Sequence, residues 1–161
     1  MIISNEDLKK KLIITRIIWV AMILSVIIYA ALCHLIVEKE LTEYIIPLDS
    51  TDQFGLLKNI LLAVSAVELA GGYFLRRFMV RLGSKATDQE KNAGGKYNLA
   101  VLISLSICES VAMFGLVLFL LSTDFETLYI FIAMSLAGMW FYRPKLEELE
   151  QLAAGMRNDR F

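Results

Sequence analysis

Residue types that build metal, redox and catalytic sites are scarce in this chain of 161 residues. The chain has one histidine, His34, which nearly excludes a metal or haem site made of several histidines from one chain. The two cysteines, Cys33 and Cys108, lie far apart inside apolar runs and have neither C-x-x-C nor zinc spacing. We interpret both as buried thiols that act as small hydrophobic side chains. No nucleophile–base pair, phosphate loop or redox dithiol is visible, so we expect no metal, no cofactor and no enzyme activity.

Charge is also scarce, at 20% of residues, whereas 57% of residues are hydrophobic and the mean hydropathy is +0.60. A soluble domain usually has about 25% charged and about 45–50% apolar residues. The excess is concentrated in four long apolar runs, which excludes a soluble enzyme, a secreted disulfide scaffold and a disordered tail. The net charge of −1 gives no indication of a nucleic-acid partner. The composition therefore indicates a small polytopic membrane protein, whose first partner is the lipid bilayer.

The four apolar runs are long enough to cross a membrane, because a bilayer core of about 30 Å needs about 20 apolar residues in a helix. Helices are expected because every backbone polar group must be satisfied inside lipid. We predict an all-α membrane protein with one domain over residues 1–161, a four-transmembrane-helix bundle. The predicted spans are residues 17–37, 59–75, 99–121 and 125–142.

The basic residues divide unevenly between the two sides of these spans. Of the 16 Lys and Arg residues, all but Lys39 and Lys58 fall in the N-terminal segment, the middle loop and the tail. By the positive-inside rule we expect both termini to be cytoplasmic, in a bacterial cytoplasmic (inner) membrane. In the tail, residues 143–161, apolar residues recur at helical spacing after Pro144. This pattern predicts a short amphipathic cytoplasmic helix, which packs on the protein's own loops or docks to a partner.

Glu68 and Glu109 are the only acidic residues in the interior of the apolar spans, since Glu126 stands at the start of the fourth. Each lies within roughly 2 Å of its span's midpoint, at a rise of 1.5 Å per residue. Placing an acidic residue at the centre of a membrane helix costs about 2.5–3.5 kcal/mol, so such residues are functional candidates. Ser65 and Ser106 flank them at helical spacing, and together the four are our candidates for ion or proton binding.

Small residues near the two glutamates predict close helix approach. We expect helix packing at Gly71, Gly72, Ala112 and Gly138. Spans two and three are consecutive and antiparallel, so the two carboxyls are expected to touch or to share a water molecule. Three roles remain open for them: hydrogen bonds that hold the bundle together, ion or proton handling by a relay, and a ligand or lipid head-group site.

Residues 108–118 read Cys-Glu-Ser-Val-Ala-Met-Phe-Gly-Leu-Val-Leu. This segment resembles the carboxylate helix of the proteolipid (subunit c) of rotary ATP synthases, over about twenty residues of one helix. In that family the carboxylate binds the translocated proton or sodium ion, so the resemblance implies that role for Glu109. The chain as a whole resembles small four-span bacterial membrane proteins, which implies no particular function.

These observations leave two functional hypotheses. The first is a small non-enzymatic integral membrane protein, an accessory or self-assembling subunit of a membrane complex. The alternative is a proton- or cation-handling membrane module that uses Glu68 and Glu109. Under either hypothesis the expected partners are lipids and a homo-oligomer or larger membrane complex.

Overall fold

A computed structural model describes residues 5–39, 51–84 and 93–145, and all regular structure in these ranges is helical. The four helices are α1 (Asn5–Glu38), α2 (Thr51–Ser84), α3 (Ala93–Ser122) and α4 (Phe125–Phe141). Three of them contain stretches long and apolar enough to cross a membrane, at Leu12–Glu38, Gln53–Phe78 and Tyr97–Ser122. The fourth helix is apolar but shorter, at 17 residues. The fold is therefore all-helical and typical of a membrane protein, as the composition predicts.

Helices α1, α2 and α3 extend beyond the predicted apolar runs, α2 most of all, whereas α4 ends one residue short of its run. The predicted span two, residues 59–75, begins after Lys58 and ends before the Arg76–Arg77 pair. In the structure α2 continues through both sites, because their charged groups have partners within the fold. Lys58 lies 3.9 Å from a carboxylate oxygen of Asp124. Arg76 is buried and donates to the Tyr142 carbonyl at 2.7 Å.

Helix α3 lies at the centre and packs against each of the other three helices. One face of α3 is buried. Its buried side chains recur one turn (three or four residues) or two turns (seven residues) apart: Tyr97, Val101, Leu105, Cys108, Ala112 and Phe119. This face belongs to one core cluster with residues of α1 and α4. A neighbouring face presents Val111 and Leu118 to a second cluster that includes side chains of α2. The rotation of α3 therefore determines which residues meet α1 and which meet α2.

Helices α3 and α4 make the most extensive contact of the bundle and are joined by Thr123 and Asp124. Thr123 has a positive φ of 56°, and its N–H donates to the Phe119 carbonyl, which closes the end of α3. Asp124 is the N-cap of α4 and accepts a hydrogen bond from the Glu126 N–H at 3.0 Å. The tight turn forces α4 to run back along α3.

The surface of the bundle is largely apolar, as a lipid-facing surface requires. On α1 the exposed side chains are bulky, for example Ile17 at 64%, Leu24 at 55% and Ile28 at 48% exposure. The predicted amphipathic helix of the tail lies outside the described residues, as do the first residues of the chain and most of the outer loop.

Candidate functional site

Glu109 lies on the side of α3 that meets α1, and it is half-buried. Its Oε1 atom accepts hydrogen bonds from two side chains of α1: Ser25 Oγ at 2.8 Å and Tyr29 Oη at 2.9 Å. Ser25 and Tyr29 are four residues apart, so a single helix face carries both hydroxyls. Three oxygen-bearing side chains therefore meet in the middle of the α1–α3 interface.

Glu68 occupies a matching position in the interface between α2 and α3. Its Oε2 atom accepts a hydrogen bond from Ser110 Oγ at 2.8 Å. Glu68 is also half-buried. The direction of the hydrogen bond is reversed relative to the Glu109 site, because here the central helix supplies the hydroxyl and the outer helix supplies the carboxyl.

The structure does not join the two carboxyls as the sequence analysis expects. Glu109 and Ser110 are consecutive residues of α3, and consecutive side chains of a helix point about 100° apart. Glu109 therefore faces α1, whereas Glu68 reaches α3 from α2 on the neighbouring face. Every hydrogen bond found for either carboxyl has a hydroxyl of the adjacent helix as its partner.

The serine in each pair also contacts a backbone carbonyl three residues earlier in its own helix. Ser25 Oγ lies 2.7 Å from the Met22 carbonyl, and Ser110 Oγ lies 2.7 Å from the Ile107 carbonyl. A hydroxyl has one proton and two lone pairs. It can donate to an ionised carboxylate, or it can donate to the carbonyl and accept from a protonated carboxyl. Both sites can thus be satisfied in either protonation state of the glutamate.

Neither of the flanking serines reaches its glutamate. Ser65 is fully buried, but its hydroxyl donates to the Leu61 carbonyl of α2 at 2.8 Å. Ser106 lies on an exposed face of α3. The hydroxyls that do meet the carboxyls come from other positions, which the search along each glutamate's own helix missed. A signal for two of them was present, since Ser25 and Tyr29 are polar groups at i and i+4 in an otherwise apolar run.

Of the small residues expected at helix contacts, Gly72, Ala112 and Gly138 are buried between helices. A Cβ atom on Gly138 would lie 2.8 Å from both Cys108 Sγ and Leu69 Cδ2. Gly71 instead lies on the exposed side of α2, with no atom within 4 Å of its Cβ position. The tightest approach is at Gly115, which the sequence analysis missed: its Cβ would lie 2.6 Å from Phe131 Cβ.

Near each end of the bundle, a further polar contact joins two helices. At one end, Tyr142 Oη donates to the Leu69 carbonyl at 2.6 Å, beside the Arg76 contact described above. At the other end, His34 Nε2 and Tyr129 Oη are 2.6 Å apart, and the His34 ring stacks on Phe125 at 4.7 Å. His34 thus joins α1 to α4.

Comparisons with models of protein families, with curated protein sequences and with solved structures found no match to this chain. Within residues 5–39, 51–84 and 93–145, no three His, Cys, Asp or Glu side chains gather as a metal site would require. The geometry of the two carboxyl–hydroxyl sites is therefore the basis for a functional proposal.

Proposed function

We propose that this protein is a small non-enzymatic integral membrane protein that serves as an accessory or self-assembling subunit of a membrane complex. The two mid-span carboxyls support a structural role, because each bonds to a hydroxyl of the neighbouring helix. Hydrogen bonds between membrane helices help to hold them together, and average about 0.6 kcal/mol each. In this role Glu109 secures α1 to α3, and Glu68 secures α2 to α3.

The outward face of α2 is the observation that favours assembly with other chains. It exposes Ala63, Ala66, Ala70 and Gly71, which lie on the side away from α3. Small residues at three- and four-residue spacing allow a second membrane helix to approach closely. Bulky side chains such as Val67 and Phe74 are exposed on α2 as well, but small residues are more frequent there than on the exposed face of α1, which is mostly isoleucine and leucine. Assembly is accordingly proposed through α2.

The proposal places all four helices across the membrane, with both termini in the cytoplasm of a bacterial cell. Helix α4 would span about 25 Å at 1.5 Å per residue, close to the thickness of a bilayer core. It runs back along α3 from a two-residue connection, which favours a fourth crossing. The end that carries Arg76, Arg77 and Arg143 would be the cytoplasmic end.

Cysteine cross-linking in membranes tests the assembly proposal. Ala66→Cys places a thiol on the outward face of α2, and Leu24→Cys places a matched thiol on the exposed face of α1. The native cysteines are buried, so they leave the background low. We expect Ala66→Cys to give covalent dimers and Leu24→Cys to stay monomeric. Equal cross-linking, together with a detergent-solubilised mass of one 18.2 kDa chain, would contradict self-assembly.

A second candidate function is proton or cation handling at Glu109. The observation in its favour is the cluster of Glu109, Ser25 and Tyr29, three oxygen ligands at mid-span that can be satisfied with or without the carboxyl proton. Intramembrane carboxyls of this kind mark proton and ion pathways in many membrane proteins. Under this candidate Glu68 and Ser110 form a second station for the same proton or cation.

Carbodiimide labelling and flux measurements separate the two candidates. Dicyclohexylcarbodiimide reacts with protonated carboxyls in apolar surroundings. If Glu109 handles protons, the reagent labels it, and Glu109→Gln lowers proton flux in proteoliposomes to that of empty vesicles. Glu126→Gln is the matched control, because Glu126 is exposed at the start of α4. Unchanged flux in Glu109→Gln would leave the carboxyl with its structural role alone.

A further inference from the structure

Helices α2 and α4 both pack on α3 and contact each other at few points, Leu69 with Gly138 among them, and an apolar groove lies between them. The groove has a volume of about 410 Å³ and is lined by Leu69 and Tyr73 of α2 and by Met134, Ala137 and Phe141 of α4. Its lining is almost entirely apolar, so the part of any occupant that lies within it must be apolar as well.

A positive charge, that of Arg77, lies one helical turn beyond the groove residue Tyr73. Tyr73 lines the groove, and its hydroxyl accepts an N–H of Arg77 at 3.4 Å, a long hydrogen bond to a neutral group. Both side chains are exposed, and among the described residues no carboxylate pairs with Arg77. The neighbouring Arg76 is already engaged by Tyr142, but its charge adds to the positive potential at this end. An anionic group placed at the mouth would gain both the charge of Arg77 and the Tyr73 hydroxyl.

This end of the bundle also has the features of a membrane boundary. Exposed aromatic side chains surround it: Tyr73 and Phe74 on α2, and Trp140 and Phe141 on α4. Aromatic residues of this kind concentrate at the level of lipid head groups. The apolar groove thus lies on the hydrocarbon side of the boundary, and Arg77 lies at the level where phosphate groups occur.

We propose that the α2–α4 groove is a binding site for an anionic phospholipid, with one acyl chain along the groove and the phosphate at Arg77 and Tyr73. Basic pockets between membrane helices are known to select anionic head groups. The charge at the mouth favours a lipid over a helix of a second copy of the chain, because an apolar helix face leaves Arg77 without a counter-ion. The proposal depends on the membrane location of the bundle and not on the function proposed above.

Native mass spectrometry of the full, delipidated chain tests the proposal with phosphatidylglycerol and phosphatidylcholine of identical acyl chains. We expect one phosphatidylglycerol molecule to bind in preference to phosphatidylcholine. Arg77→Gln should lower that preference about fivefold, because one basic residue near the membrane surface contributes about 1 kcal/mol towards anionic lipid. Arg143→Gln is the matched control, since Arg143 lies over the Trp140 ring at the same end of the bundle and, unlike Arg77, has no described side-chain hydrogen bond to a residue that lines the groove.

A second pair of variants tests the groove itself. Ala137→Phe fills the groove and should reduce the binding of both lipids, whereas Ala21→Phe, at an exposed position of α1, should leave binding unchanged. If Ala137→Phe yields little folded protein, Ala137→Leu serves the same purpose. Equal binding of the two lipids, or an equal loss of preference in Arg77→Gln and Arg143→Gln, overturns the proposal. Disulfide-linked dimers of Ala137→Cys with lipid binding unaffected by Ala137→Phe would assign the groove to a second copy instead, and would also overturn it.

Discussion

Replacing Gly115 with alanine would force α3 and α4 apart at their closest approach. The added Cβ would lie 2.6 Å from Phe131 Cβ, about 0.8 Å inside ordinary contact at 3.4 Å, the distance at which it would meet the Leu128 carbonyl oxygen. Phe131 Cβ is bonded directly to the α4 backbone and cannot rotate away. The strain must therefore be relieved by a shift of one helix against the other.

The expected loss of stability in each Gly→Ala variant depends on the atoms that the added Cβ would contact. Overpacking a well-packed core by one methyl group costs about 1–3 kcal/mol, and we expect Gly115→Ala near the upper end. Gly138→Ala should cost less, about 1–2 kcal/mol, because its obstacles are the ends of the Cys108 and Leu69 side chains. Gly71→Ala is the matched control: it adds the same methyl group where nothing lies within 4 Å. All three variants share any gain in helix propensity, up to about 1 kcal/mol, so differences among them report packing alone.

Unfolding in mixed micelles with increasing sodium dodecyl sulfate measures these free energies. Trp19 provides the signal, because its indole N–H donates to the Met139 carbonyl at 2.8 Å and this α1–α4 contact is lost on unfolding. We expect midpoints in the order Gly71→Ala, then Gly138→Ala, then Gly115→Ala, from most to least stable. A Gly115→Ala midpoint equal to or above that of Gly71→Ala would refute the proposed close approach of α3 and α4.

Two further predictions use the same unfolding assay. In two double-mutant cycles, Glu109→Ala combined with Ser25→Ala and Glu109→Ala combined with Tyr29→Phe should each show coupling of about 0.6–1.7 kcal/mol, because alanine removes the acceptor of both bonds. Additive losses would contradict these hydrogen bonds. The hydrogen bond from the Thr127 hydroxyl, with backbone N–H bonds and the charge of Lys58, holds the pKa of Asp124 below its ordinary value despite partial burial. Its folded pKa is lower than its unfolded one, so its contribution is complete at neutral pH and is lost as the pH falls below about 4, through the folded pKa. Asp124→Asn keeps a capping side chain but should remove this pH dependence, and an unchanged acid profile would contradict it.

The sequence predicted the helices well because lipid leaves the backbone few alternatives. Long apolar runs must be helical to satisfy their polar groups, and the start of α4 at Phe125 agrees with the expected position. Helix α2 extends beyond the predicted span at both ends, because a hydropathy profile ends an apolar run at every charged residue. Whether a charge ends a span depends on partners such as Asp124 and Tyr142, which are distant in sequence.

The common level of the two glutamates in the bundle could also be predicted by counting residues along each helix, and Glu68 does bond to Ser110, the residue next to Glu109. Their partners could not be predicted, because those depend on how each helix is rotated about its axis. Apolar faces on all sides of α3 leave that rotation undetermined in the sequence pattern. The expected contact between Glu68 and Glu109 assumed that both point into one interface, whereas α3 is rotated so that positions 109 and 110 face different helices.

In this bundle, polar groups determine the rotation of each helix about its axis, which apolar packing alone leaves undetermined. Lipid is as apolar as leucine, so burying a hydrophobic face against another helix does little to select one rotation over another. A hydrogen bond strongly favours one rotation of the helix, because a hydroxyl or carboxyl turned towards lipid loses its partner. Along α3 such bonds fix three directions: Glu109 towards α1, Ser110 towards α2, and the Cys108 carbonyl towards Ser135 of α4. Three consecutive residues in the middle of α3 thus orient the central helix towards all of its neighbours.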